Sequence, residues 1–138
     1  MALADQTEEK RESMSGKILL MDDEEIVLKV ASKIITKLGY EIEISRDGDE
    51  AVRLYREAMD SGKPFKAVVM DLTIPGGMGG GDAIKILKNM DPNVKAFVSS
   101  GYSSDPLMVN HKDYGFAGVI TKPYKVEEIK EVLDREVG

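Results

Sequence analysis

Five times along this chain a short apolar run gives way to a stretch whose apolar residues recur at helical spacing. Lys17-Ile18-Leu19-Leu20-Met21 is nearly continuous in apolar character, the mark of a strand buried on both faces. Ile26, Val27, Val30, Ile34 and Leu38 then recur at helical spacing, and Gly39 supplies a stop. Tyr40 to Ile44 alternates, as a half-covered strand does. Asp47 is placed to cap a second helix carrying Ala51, Leu54, Tyr55 and Ala58, which ends near Gly62. Phe65 to Met70 is a third, buried strand. Asp82 is predicted to open a helix with Ile84, Leu87 and Lys88 that stops before Pro92. Val94 to Val98 reads as the fourth strand, and Asp105-Pro106 as the cap and first turn of a helix that Gly115 closes. Ala117 to Ile120 is the fifth strand, and Val126, Ile129, Val132 and Leu133 mark a last amphipathic helix. Strands separated by helices must run parallel, because each crossover returns over the sheet. The expected fold is therefore α/β, a doubly wound five-stranded parallel sheet with helices on both faces.

The 138 residues suit one domain, placed at 16–138. Residues 1–15 mix charges, Ser and Gln without an apolar core, and are expected to form a loose tail. A net charge of −6 argues against nucleic-acid binding through a broad basic face. The absence of cysteine removes disulfides and thiolate metal sites and agrees with a cytoplasmic location. No apolar run approaches the roughly 20 residues that span a bilayer, so no membrane contact is expected.

In open parallel sheets, ligands bind beyond the carboxyl ends of the strands. Asp22 and Asp23 follow strand one, Asp71 follows strand three, Ser99 and Ser100 follow strand four, and Lys122 follows strand five. On one rim these would place three carboxylates, a hydroxyl and an ammonium in a single pocket. Crowded carboxylates repel, and a hard divalent ion such as Mg²⁺, with Mn²⁺ as a substitute, is the natural counter-charge. A lysine opposite the metal suits a phosphoryl group, and a serine hydroxyl can donate to it. The set is suited to holding a phosphoryl group on a carboxylate, with Asp71 as nucleophile.

Four motifs, ILLMDDE, VVMDLTIP, FVSSG and ITKPY, stand in order at these strand ends. Over residues 16–137 the chain resembles the receiver domain of two-component response regulators, and most closely the receivers of hybrid sensor histidine kinases. The resemblance implies a flavodoxin-like strand order 2-1-3-4-5. It implies Asp71 as phosphoacceptor, Asp23 as a direct Mg²⁺ ligand, Asp22 acting through water, and the Thr73 backbone carbonyl as a further ligand. It also implies Ser100 as the switch hydroxyl, Lys122 as the phosphoryl-binding lysine, a bond to Pro123 that is often cis, and rate tuning by Thr73 and Tyr102. The donor would be a histidine kinase or histidine phosphotransfer protein. The chain would be a signalling switch, monomeric or weakly dimeric, with no output domain of its own, rather than a metabolic enzyme.

Two features depart from the family pattern. Pro75-Gly76-Gly77-Met78 is one residue longer than the usual Pro-x-Met, and Val119 stands where an aromatic commonly swings inward. The glycines of 76-GGMGGG-81 are read as leaving Asp71 open to a donor and letting the backbone adopt positive φ. Glu127, Glu128, Lys130 and Glu131 read as a solvated helix face, and His111 is given no catalytic role. Three rivals remain: a phosphate-independent receiver-like binding module, an aspartate-dependent phosphatase, and a flavin binder. The phosphatase would want a second acid where Thr73 stands, and the flavin binder would meet acids at its phosphate loop.

Overall fold

The computed structural model describes residues 16–137. The expected tail at 1–15 lies outside them. The strands are β1 (Lys17–Met21), β2 (Glu41–Ser45), β3 (Ala67–Asp71), β4 (Ala96–Ser100) and β5 (Gly118–Thr121). The helices are α1 (Glu25–Lys37), α2 (Gly48–Asp60), α3 (Gly80–Met90), α4 (Pro106–Val109) and α5 (Val126–Glu136). The sheet order is β2-β1-β3-β4-β5, and every neighbouring pair is parallel. This is the doubly wound architecture expected from the alternation of apolar runs.

Strand parity divides the core into two layers. Ile18 and Leu20 of β1, Ala67 and Val69 of β3, Phe97 of β4 and Ile120 of β5 pack with Leu28, Ala31 and Ile35 of α1 and Ile129, Val132 and Leu133 of α5. The alternate residues Leu19, Met21, Val68, Met70, Ala96 and Val98 pack with Ala51 and Tyr55 of α2 and Ala83, Ile84 and Leu87 of α3. Continuing the first series to the carboxyl ends gives Asp71 and Ser99 within β3 and β4, and Asp22 and Lys122 just beyond β1 and β5. Parity therefore delivers those four side chains to the same face of the sheet.

Several local expectations hold. Asp47 caps α2 by accepting from Glu50 N at 2.9 Å, and Asp105 caps α4 by accepting from Leu107 N at 2.9 Å. The Lys122–Pro123 peptide is cis. Others are corrected. In α1 the buried face is Leu28, Ala31, Ile34 and Ile35, while Ile26 and Val30 are exposed. A helix so rich in apolar residues offers two overlapping stripes, and the sheet selects one. Asp82 does not open α3, which starts at Gly80 with Gly79 as its cap. The fourth helix is one turn, Pro106–Val109, followed by a 3₁₀ turn over His111–Tyr114 that ends at Gly115 with φ 101°. Strands two to five each begin and end one or two residues later than the sequence suggested, which makes Asp71 and Ser100 the last strand residues.

Candidate functional site

The carboxyl ends of β1, β3, β4 and β5 meet at one rim, as the topology requires. Asp22 is fully buried; its backbone N–H donates to Ser45 O at 3.1 Å, and its Oδ1 accepts from Glu24 N at 3.0 Å. Asp71 is buried at the strand end but faces a cleft of about 700 Å³ lined by Asp23, Thr73, Ser100, Tyr102 and Lys122 among others. Lys122 reaches across the sheet from β5: its Nζ lies 2.7 Å from Asp22 Oδ2 and donates to Asp71 Oδ1 at 3.1 Å. The structure thus brings Asp22, Asp23, Asp71, Ser100 and Lys122 together, with Thr73 and Tyr102 on the cleft wall.

The electrostatics follow from burial and crowding. Burial, then the charge of Asp22, pushes the Asp71 carboxyl up to about 6, against the pull of Lys122. Burial alone would lower Lys122, but its contact with Asp22 and the charge of Asp71 outweigh it, so the ammonium is held above its ordinary range. Two carboxylates and one ammonium leave the cluster net negative, and Asp23 adds to this from the exposed side.

A hard cation fits these residues. Asp22, Asp23 and Asp71 each offer one oxygen, and these oxygens lie within 4.8 Å of one another. Asp22 Oδ2 is fully buried, and its polar contact is the Lys122 ammonium 2.7 Å away. An all-oxygen donor set with more negative than positive charge suits a hard divalent ion such as Mg²⁺.

The glycine loop has a different basis from the one its composition suggests. Ile74-Pro75-Gly76-Gly77 is a turn closed by Gly77 N donating to Ile74 O at 3.1 Å, with Gly76 at φ 75°. Proline at the second position and a positive-φ glycine at the third are the requirements of a type II turn. The extra residue is absorbed in this exposed turn. Gly79 serves packing instead: a Cβ there would overlap the Leu72 carbonyl oxygen and lie 2.9 Å from Thr73 Cα. The loop doubles back against the two residues after Asp71, so its bareness serves this close approach as well as access to the cleft.

Two contacts near the site were not foreseen. Ser99 Oγ and Tyr124 Oη lie 2.6 Å apart, and burial pushes the Tyr124 hydroxyl up to about 12. Strand parity was the available signal, since Ser99 shares the series of Asp71 and is its register partner on β4. Glu128, read as solvated, accepts from Thr121 N and Thr121 Oγ1. His111 sits in the 3₁₀ turn with Nδ1 3.1 Å from Met108 O, away from the cleft residues.

Comparison with known proteins agrees with this geometry. The model of the response regulator receiver domain matches residues 18–134. The chain is 34% identical to the chemotaxis protein CheY of Thermotoga maritima over 123 residues, covering 88% of this chain and 98% of that one. It is 27% identical to the sensor kinase CckA of Brucella abortus over 134 residues, 93% of this chain but 14% of the kinase. Among solved structures, the receiver domain of a Pseudomonas aeruginosa sensor histidine kinase, with magnesium in its active-site cleft, superposes with a TM-score of 0.77 at 23% identity, covering 89% of this chain and 98% of that one. CheY in a CheX–CheY–BeF₃–Mg²⁺ complex from Borrelia burgdorferi gives 0.79 at 22%, covering 91% and 96%. By sequence and by fold, the chain belongs to the receiver domains of two-component systems, which are phosphoacceptor signalling switches.

Proposed function

We propose that this receiver takes its phosphoryl group on Asp71, from the phosphohistidine of a histidine kinase or histidine phosphotransfer protein. An Asp71 oxygen attacks phosphorus in line, the P–N bond breaks, the imidazole leaves, and an acyl phosphate remains. Lys122 would balance charge on the phosphoryl oxygens from its seat beside Asp71, and Ser100 would donate to one of them. Ser100 Oγ now accepts from Tyr102 N at 3.1 Å, which leaves its own proton available to donate. Asp22, Asp23, Asp71 and the Thr73 carbonyl would hold Mg²⁺, which when bound supplies positive charge against the carboxylates and the transferred group. Water then returns the site to its resting state, with Thr73 and Tyr102 tuning its access.

The observation that carries this reading is the Lys122 ammonium seated between Asp22 and Asp71 at the floor of an open cleft. A protein donor is favoured over a small one by Ile26 and Val30, exposed one helical turn apart on α1 just after the acidic pair. No helix among the described residues is long and apolar enough to cross a membrane, and a cytoplasmic partner suits that. Thermal melting with Mg²⁺ and beryllium fluoride tests the reading. Stabilisation of the native protein, lost in Asp71→Asn, supports it; no stabilisation favours a phosphate-independent binding module.

A further inference from the structure

We propose that Glu128 is a positioning residue for Lys122. β5 is the last strand of the sheet, so its outer peptide groups have no neighbouring strand to pair with. At Thr121 a side chain takes that place. Thr121 N donates to Glu128 Oε1 at 3.1 Å, and Thr121 Oγ1 donates to Glu128 Oε2 at 2.9 Å, so both oxygens of one carboxylate grip one residue. On the inner side, Lys122 N donates to Ser100 O at 2.9 Å. The chain entering Lys122 is thus fixed from the sheet by Ser100 and from α5 by Glu128.

Packing does not do this work alone. A groove of about 670 Å³ opens beside β5, lined by Thr121, Lys122, Glu128, Glu131 and Arg135 among others. Glu128 is absent from the cleft wall, so it acts through the backbone of its neighbour rather than on a bound group. It also lies in the first turn of α5, where the helix dipole favours a carboxylate. A lysine that must meet both Asp22 and Asp71 at bonding distance tolerates little drift of its backbone. Among the described residues, this latch ties α5 directly by hydrogen bonds to the strand end at the site.

One arm of the test is independent of the proposed phosphoryl chemistry. Limited acetylation of the full chain, mapped by mass spectrometry, reads how well the Lys122 amine is protected. Glu128→Ala is expected to speed labelling of Lys122 about tenfold, Glu128→Gln less, and Glu127→Ala not at all, with other lysines unchanged. In the second arm, phosphorylation by acetyl phosphate with Mg²⁺, Glu128→Ala is expected to lower the maximal rate about tenfold with half-saturation little changed, and Glu128→Gln to recover part of it. Thr121→Val and Glu128→Ala together should cost less than the sum of their separate effects. Unchanged Lys122 labelling in Glu128→Ala overturns the inference whatever the second arm shows. If the native protein accepts no phosphoryl group, the proposed function fails while the labelling arm still decides the role of Glu128.

Discussion

The Lys122 ammonium lies 2.7 Å from the fully buried Asp22 carboxylate, a pair whose partners come from opposite ends of the chain. Lys122 stands where a cation would otherwise be needed. Lys122→Ala should therefore destabilise the metal-free protein by about 3 kcal/mol, because it leaves a buried charge unmatched. The same variant should bind Mg²⁺ several-fold more tightly, since the competing charge is gone. Calorimetric titration with Mg²⁺ checks the second effect, and weaker binding would contradict it.

Asp71 carries a pH dependence with a definite sign. Its carboxyl is pushed from 3.8 up to about 6 in the fold, so the folded state holds that proton more tightly than the unfolded one. Below about 4 both states are protonated and the penalty is absent; above about 6 both are ionised and the penalty is complete. Asp71→Asn should gain stability relative to the native protein as pH rises from 4 to 6, reaching about 1–2 kcal/mol, a figure reduced because the cleft admits water. Denaturant melts in chelator across that range check it. A difference that shrinks with rising pH would contradict the assignment.

The glycine loop separates packing from conformational freedom. Gly79→Ala should cost about 1–3 kcal/mol, since its Cβ meets backbone that has nowhere to move. Gly101→Ala, at a glycine with open space around it and no positive φ, should stay within about 0.5 kcal/mol. Equal costs in urea melts would show that the loop is not packed as described.

The Ser99–Tyr124 hydroxyl pair predicts a coupling. Tyr124→Phe leaves the buried Ser99 hydroxyl without its partner and should cost about 1–3 kcal/mol. Adding Ser99→Ala should cost little more, giving a coupling of about 1 kcal/mol in a double-mutant cycle. Strict additivity would show that the 2.6 Å contact carries no energy.

Tyr102 lines the cleft yet is 78% exposed, so it screens the site loosely. Tyr102→Ala should speed loss of the phosphoryl group about two- to fivefold by admitting water. An unchanged or slower rate in a phosphoryl-loss assay would remove Tyr102 from the rate-tuning set.

Much of this was legible in the sequence, because the apolar runs end in the polar residues that the topology gathers. Asp22, Asp71 and Lys122 could be placed on one rim from strand order alone. Asp47 and Asp105 could be read as caps, since capping is a local property. What escaped depended on long-range choices. The α1 periodicity admits two apolar stripes, and only contact with the sheet buries Leu28 and Ala31 while leaving Ile26 and Val30 exposed. Glu128 looks like any helix-surface acid until the edge of β5 presents it with two donors. Gly79 looks like freedom of the chain until the returning backbone shows that a side chain would not fit.

The most direct measurement is intact-protein mass spectrometry after incubation with acetyl phosphate and Mg²⁺, with Asp71→Asn and a chelated sample alongside. The account predicts one acid-labile phosphoryl group on the native protein, mapping to Asp71 and absent from both controls. A native protein that gains nothing, or a phosphoryl group that persists in Asp71→Asn, would contradict it.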